Sequence, residues 1–140
     1  GSSNDFLLKL ISGSMPACPK IHMGYIDVRD VAKAHIFSMT EEKTDGERII
    51  VSENEMFFAE VGKTLNEAGF KKSPTKEMPN FLVKIMSLFV GELKTLLSAL
   101  NRKGDIDKTK AKRFFNWDYI STEQSVTETA QQLQDMGLTK

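Results

Sequence analysis

The sequence predicts an α/β fold that is mostly helical, with about six helices, two or three short strands and an incomplete sheet. Three observations lead there. Apolar residues recur at helical spacing over most of the chain, as in Phe6, Leu7, Leu10 and Ile11 or Phe58, Val61, Leu65 and Ala68. β-branched and aromatic residues gather in only two short runs, GYIDV and ERIIVS. Two such runs are too few for a self-sufficient sheet. The length of 140 residues fits one domain with one hydrophobic core, residues 1–140.

Taken in order, DFLLKLISG reads as a helix capped by Ser3 or Asn4 and stopped at Gly13. Pro16 and Pro19 then deny regular structure, leading into the strand GYIDV. Asp30 is placed to cap the helix VAKAHIFSM, because a carboxylate accepts the orphan amides of a first turn. A polar turn ends at Gly46, and ERIIVS follows with an unbroken Ile49-Ile50-Val51 centre that suits a strand covered on both faces, as in a parallel sheet. FFAEVGKTLNEAG is a helix stopped by Gly69, and FKKSPTKEMP is a loop with one short extended piece. Asn80 caps a long apolar helix, residues 81–100, which Gly91 bends or divides. Asp107 opens a short helix, KTKAKRFF. Ser121 and Gln124 form a capping-box pair for the last helix, closed by Gly137.

The composition excludes more than it selects. Nineteen basic and nineteen acidic side chains balance, so no basic stripe points to nucleic acid. The longest apolar stretch contains Lys84 and is too short to span a bilayer, and GSSNDFL lacks the pattern of a secretion signal. The single cysteine, Cys18, excludes an internal disulfide and fits a reducing, cytoplasmic setting. Lying in PACPK, it reads as a thiol in a turn rather than a nucleophile. His22 and His35 have no metal-binding spacing; His35 reads as a packed imidazole and His22 as a loop residue. No glycine-rich phosphate loop or nucleophile elbow occurs, and the seven methionines read as core filler.

Several pieces together carry a resemblance. GYIDVRDVAKAHIFSM resembles the strand-to-helix joint in the C-terminal half of extended short-chain dehydrogenase/reductases, nearest the dihydroflavonol reductase and cinnamoyl-CoA reductase-like branch. TDGERIIVSE, FFAEVGKTLNEAGF and KTKAKRFFNWDYISTEQSVTETAQQL resemble later family segments, in the same order. The resemblance implies a helical C-terminal lobe of a Rossmann-type reductase. Its N-terminal dinucleotide-binding domain, with the NAD(P) turn and the Tyr–Lys proton-transfer pair, would lie outside this chain. Tyr25 and Tyr119 are the two tyrosines here, and neither has a lysine four residues on. No catalytic residue, cofactor-binding residue or metal ligand is therefore expected in this chain.

The resemblance further implies a substrate pocket wall formed by Phe6, Leu7, Leu10, Met15, Ile21, Met23 and Gly24, although Phe6, Leu7 and Leu10 read equally as plain core. NFLVKIMSLF would close its far side. Tyr25, Asp27, Arg29 and Asp30 are placed at the domain joint, and ERIIVS as the outer strand of the parent's parallel sheet. The implied parent is an NAD(P)-dependent oxidoreductase interconverting a small-molecule carbonyl and alcohol, with the chain alone inactive. A non-catalytic interaction module and the matching part of a nucleotide-sugar epimerase or dehydratase are the alternatives. An exposed strand edge implies self-association into a homo-oligomer.

Overall fold

The computed structural model describes residues 2–88 and 91–139. Its main core forms where three helices turn their apolar faces together: α1 (Ser2–Ser12), α3 (Phe58–Glu67) and α7 (Thr122–Asp135). Leu7, Leu10 and Ile11 fall on one side of α1, Val61 and Leu65 on one side of α3, and Val126, Ala130 and Leu133 on one side of α7. Each set follows the helical period, which is why burying one member buries the rest. Leu10, Ile21, Val61 and Leu65 retain no exposed surface. Gly62 sets the closeness of α3 to its neighbour loop: a Cβ there would lie 2.0 Å from the Pro74 carbonyl oxygen.

Between α1 and α3 runs the two-stranded antiparallel sheet of β1 (His22–Tyr25) and β2 (Asn54–Phe57), in register His22 opposite Phe57 and Tyr25 opposite Asn54. The α/β reading with an incomplete sheet holds, but its strands are placed differently. Residues 47–52 are extended without a strand partner among the described residues, so ERIIVS is not the sheet strand that its composition suggests. Ile49 and Val51 pack into a second, smaller cluster with Ala34, Phe37, Ala111, Phe115 and Trp117, while Ile50 faces outward. One covered face suffices for an extended segment; the two covered faces of a parallel sheet are not provided. NEMF takes the strand instead, because pairing with β1 overrides its weak β propensity.

The helix α2 (Val28–Thr40) starts three residues earlier than a cap at Asp30 would place it. Asp27 is the cap: its Oδ1 accepts the Arg29 amide at 2.8 Å. The long apolar helix is divided into α4 (Asn80–Met86) and α5 (Gly91–Leu96), with a 3₁₀ turn at Leu97–Ala99; its residues 89–90 lie outside the described residues. Pro79 rather than Asn80 occupies the cap position of α4. At the N-terminus, α1 already includes Ser3 and Asn4, so neither caps it. α6 (Thr109–Phe114) follows Asp107, whose Oδ1 accepts the Thr109 amide at 2.9 Å. No helix among the described residues is long and apolar enough to cross a membrane.

Candidate functional site

The charges crowded at the β1–α2 corner serve the fold. Asp27 is buried and binds both the Arg29 amide and its guanidinium, with Nε at 2.8 Å and Nη2 at 2.9 Å. Arg29 then reaches Glu128 of α7 at 2.7 Å. The Arg29 hydrogen bond, chiefly, holds the Asp27 carboxyl well below the usual carboxylate range, against the opposing effect of burial. Asp30, also buried, accepts the Ile120 amide at 2.8 Å. Glu53 accepts both the amide and the hydroxyl of Thr122, at 2.9 and 2.5 Å. Arg29, Asp30 and Glu53 thus tie the β1–α2 corner and the adjoining loop to α7 and the segment leading into it.

The residues proposed for a pocket wall divide by burial. Leu7, Leu10 and Ile21 lie in the main core, with Phe6 at its margin against Phe58, ring centroids 4.3 Å apart. Phe6 and Met15 keep partial exposure, and Met23 and Gly24 are exposed. Gly24 faces residues 101–108: a Cβ there would stand 2.3 Å from Ile106 Cδ1 and 2.9 Å from Ser52 Oγ. Next to it an open cleft of about 580 Å³ lies between the sheet and this loop, lined among others by His22, Phe57, Glu55, Lys103 and Asp105. The His22 and Phe57 rings pair at 4.7 Å on the cleft side. Sequence reading set His22 in a loop and overlooked Phe57, because the β2 strand that pairs them has no sequence signature.

Burial pushes the Cys18 thiol up to about 11, leaving it protonated at neutral pH. Burial, with smaller effects from Cys18 and Glu60, raises Tyr25 above the ordinary phenol value, and its hydroxyl is buried without a hydrogen-bond partner among the described residues. That is the reverse of a phenol activated by a neighbouring ammonium. His35 donates Nδ1–H to the Val31 carbonyl at 2.8 Å but is exposed rather than packed. No cluster of potential metal ligands exists among the described residues. The glycines with left-handed backbone, Gly13, Gly46, Gly69 and Gly137, follow helices or turns and stop them.

A helical lobe beside a two-stranded antiparallel sheet matches a partial Rossmann-type reductase, and the comparisons agree. No family model matches the chain. The NADPH-dependent methylglyoxal reductase Gre2 of Saccharomyces cerevisiae is 30% identical over 115 residues, covering 82% of this chain and 30% of Gre2. An uncharacterized oxidoreductase of Schizosaccharomyces pombe is 37% identical over 79 residues, covering 56% of this chain and 20% of that protein. The crystal structure of yeast methylglyoxal/isovaleraldehyde reductase Gre2 complexed with NADPH matches 97% of this chain and 37% of its own, with TM-score 0.71 and 26% identity. The crystal structure of gox2253 shares the fold over 100% of this chain and 46% of its own, with TM-score 0.76 and 17% identity. The chain is thus a relative of the Gre2-type NADPH-dependent reductases within the short-chain dehydrogenase/reductases, and spans about 30% of Gre2.

Proposed function

We propose that this chain is the substrate-binding, C-terminal part of an NAD(P)-dependent oxidoreductase that interconverts a carbonyl and an alcohol by hydride transfer. The observation that carries the reading is the lopsided match: most of this chain aligns with an NADPH-dependent reductase, yet occupies under a third of it. The dinucleotide and the proton-transfer pair belong to polypeptide beyond these residues. When bound, the nicotinamide supplies the hydride; this chain contributes shape and apolar surface. Phe6, Met15, Met23 and Gly24 form the accessible pocket wall, backed by the packed Leu7, Leu10 and Ile21, with α4 towards its far side. The narrower dihydroflavonol reductase-like assignment rests on the order of the sequence motifs.

The dinucleotide-binding part covers α2. Val28, Ile36 and Met39 stand exposed along this helix, and with Ala32 they make a stripe at helical spacing. Tyr25, Asp27, Arg29 and Asp30 hold the corner from which that helix departs.

Two measurements test this. The purified chain mixed with NADPH and a panel of aldehydes and ketones should leave the 340 nm absorbance unchanged; steady NADPH oxidation would refute the division of labour. A chimera carrying this chain in place of the matching segment of yeast Gre2 should bind NADPH and reduce part of the panel. A folded, NADPH-binding chimera that reduces none of it would remove the substrate-wall reading.

A further inference from the structure

We propose that residues 101–108 form a strap that lifts off the β1–β2 sheet as a local unit, opening the cleft beneath it while the helical core stays folded. The strap is anchored at its ends. Asn101 donates its amide to the Lys20 carbonyl at 2.9 Å and takes a left-handed turn, φ 58°. At the other end, the Lys108 carbonyl accepts the Lys112 amide at 3.0 Å, joining the strap to α6.

Between these points the run RKGDID offers one apolar side chain, Ile106. It is seated over Gly24, a position where any Cβ would meet Ile106 Cδ1 at 2.3 Å. The polar ties converge on one carboxylate. The Ile106 amide donates to Glu55 Oε2 at 3.3 Å, and Lys108 Nζ lies 3.4 Å from Glu55 Oε1. Lys108 Nζ also donates to the Glu53 carbonyl at 3.2 Å. Residues 101–105 and Asp107 are exposed, so lifting the strap uncovers little beyond Ile106 and the Glu55 carboxylate.

Segments with one half-buried apolar side chain and few backbone bonds open at far lower free energy than packed helices, which is the contrast between this strap and the Val61–Leu65 face of α3. The strap carries Lys103, Gly104 and Asp105 as one side of the cleft, opposite His22 and Phe57. Its position therefore sets the width of the cleft and access to the ring pair. The inference stands apart from the reductase reading, since it needs neither cofactor nor substrate.

The test is amide hydrogen exchange of the 140-residue chain, resolved by NMR, in increasing sub-denaturing urea. The Ile106 amide should exchange faster than Leu65 and with almost no urea dependence, because local opening exposes little surface. Gly24→Ala, which unseats Ile106, should speed exchange at position 106 by about tenfold while leaving Leu65 unchanged. Ile106→Ala should do the same by removing the anchor. An Ile106 amide that follows the Leu65 urea dependence in the unmodified chain would overturn the proposal. So would variants that accelerate both sites by one common factor.

Discussion

Two residues illustrate how single atoms fix this fold. Gly62 sits in α3, where alanine would ordinarily be favoured by about 1 kcal/mol. A Cβ, however, would stand 2.0 Å from the Pro74 carbonyl oxygen, and backbone cannot swing aside as a side chain does. The clash outweighs propensity, so Gly62→Ala should destabilise by about 1–3 kcal/mol, read as a lower urea midpoint with unchanged m-value. An unchanged or higher midpoint would show that the Pro74 loop yields freely. Asp30 works through satisfaction rather than shape. It is buried and accepts the Ile120 amide, so Asp30→Ala strands a donor beneath the surface and should cost about 1–3 kcal/mol. The same substitution at the exposed Asp105, whose side chain has no bond among the described residues, should move the midpoint by less than about 0.5 kcal/mol.

At the scale of elements, the helices were legible in the sequence where their own residues decide them. The Phe58–Leu65 spacing, the glycine stops at Gly13, Gly69 and Gly137, and the Ser121 cap are local signals, and Ser121 Oγ does accept the Gln124 amide at 3.2 Å. The capping-box partner was not legible, because the Gln124 amide group turns to Glu128 instead of back to Ser121. The sheet was misread because β2 owes its strand to pairing with β1, while ERIIVS has strand composition without a strand partner among the described residues. The candidate site suffered in the same way: the neighbour that Gly24 faces, Ile106, is 82 positions away in a loop, where no local signal announces it. The β1–α2 corner gives the acid-dependence prediction at this scale. Asp27 and Glu128 both titrate lower in the folded chain than unbonded carboxylates do, the first through Arg29, the second through Gln124 and then Arg29. The unfolded chain therefore binds protons first. The stabilisation they contribute is complete above the ordinary carboxylate range and drains as pH falls through it towards the folded values. The urea midpoint should fall between pH 5 and about pH 3, and Arg29→Met should make that fall shallower. Equal slopes in both proteins would mean that the α2–α7 tie contributes nothing to acid sensitivity.

For the whole molecule, the decisive asymmetry is between a well-filled core and a flank that lacks a cover. α1, α3 and α7 bury their apolar faces in one another, whereas α2 is 77% exposed at Val28, 65% at Ile36 and 85% at Met39. A stripe of that kind on a helix is costly to leave in water, at about 25 cal/mol for each Å² of apolar surface. In a full-length reductase the dinucleotide-binding part would cover it; in the isolated chain another copy is the available apolar surface. The sequence pointed to association through an ERIIVS strand edge or through the apolar face that would meet the dinucleotide-binding domain. With that segment unpaired but turned inward at Ile49 and Val51, the α2 stripe is the better-founded contact. Sedimentation of the isolated chain should therefore show reversible, concentration-dependent association. Ile36→Glu with Met39→Lys should shift it to monomer without lowering the urea midpoint extrapolated to low concentration, because neither side chain is packed. Association that persists undiminished in the double variant would move the contact elsewhere, with the exposed Phe81, Ile85 and Leu88 of the α4 region next in line. A clean monomer for the unmodified chain at high concentration would mean that the stripe tolerates water, and would weaken the argument that α2 is where the rest of a reductase docks.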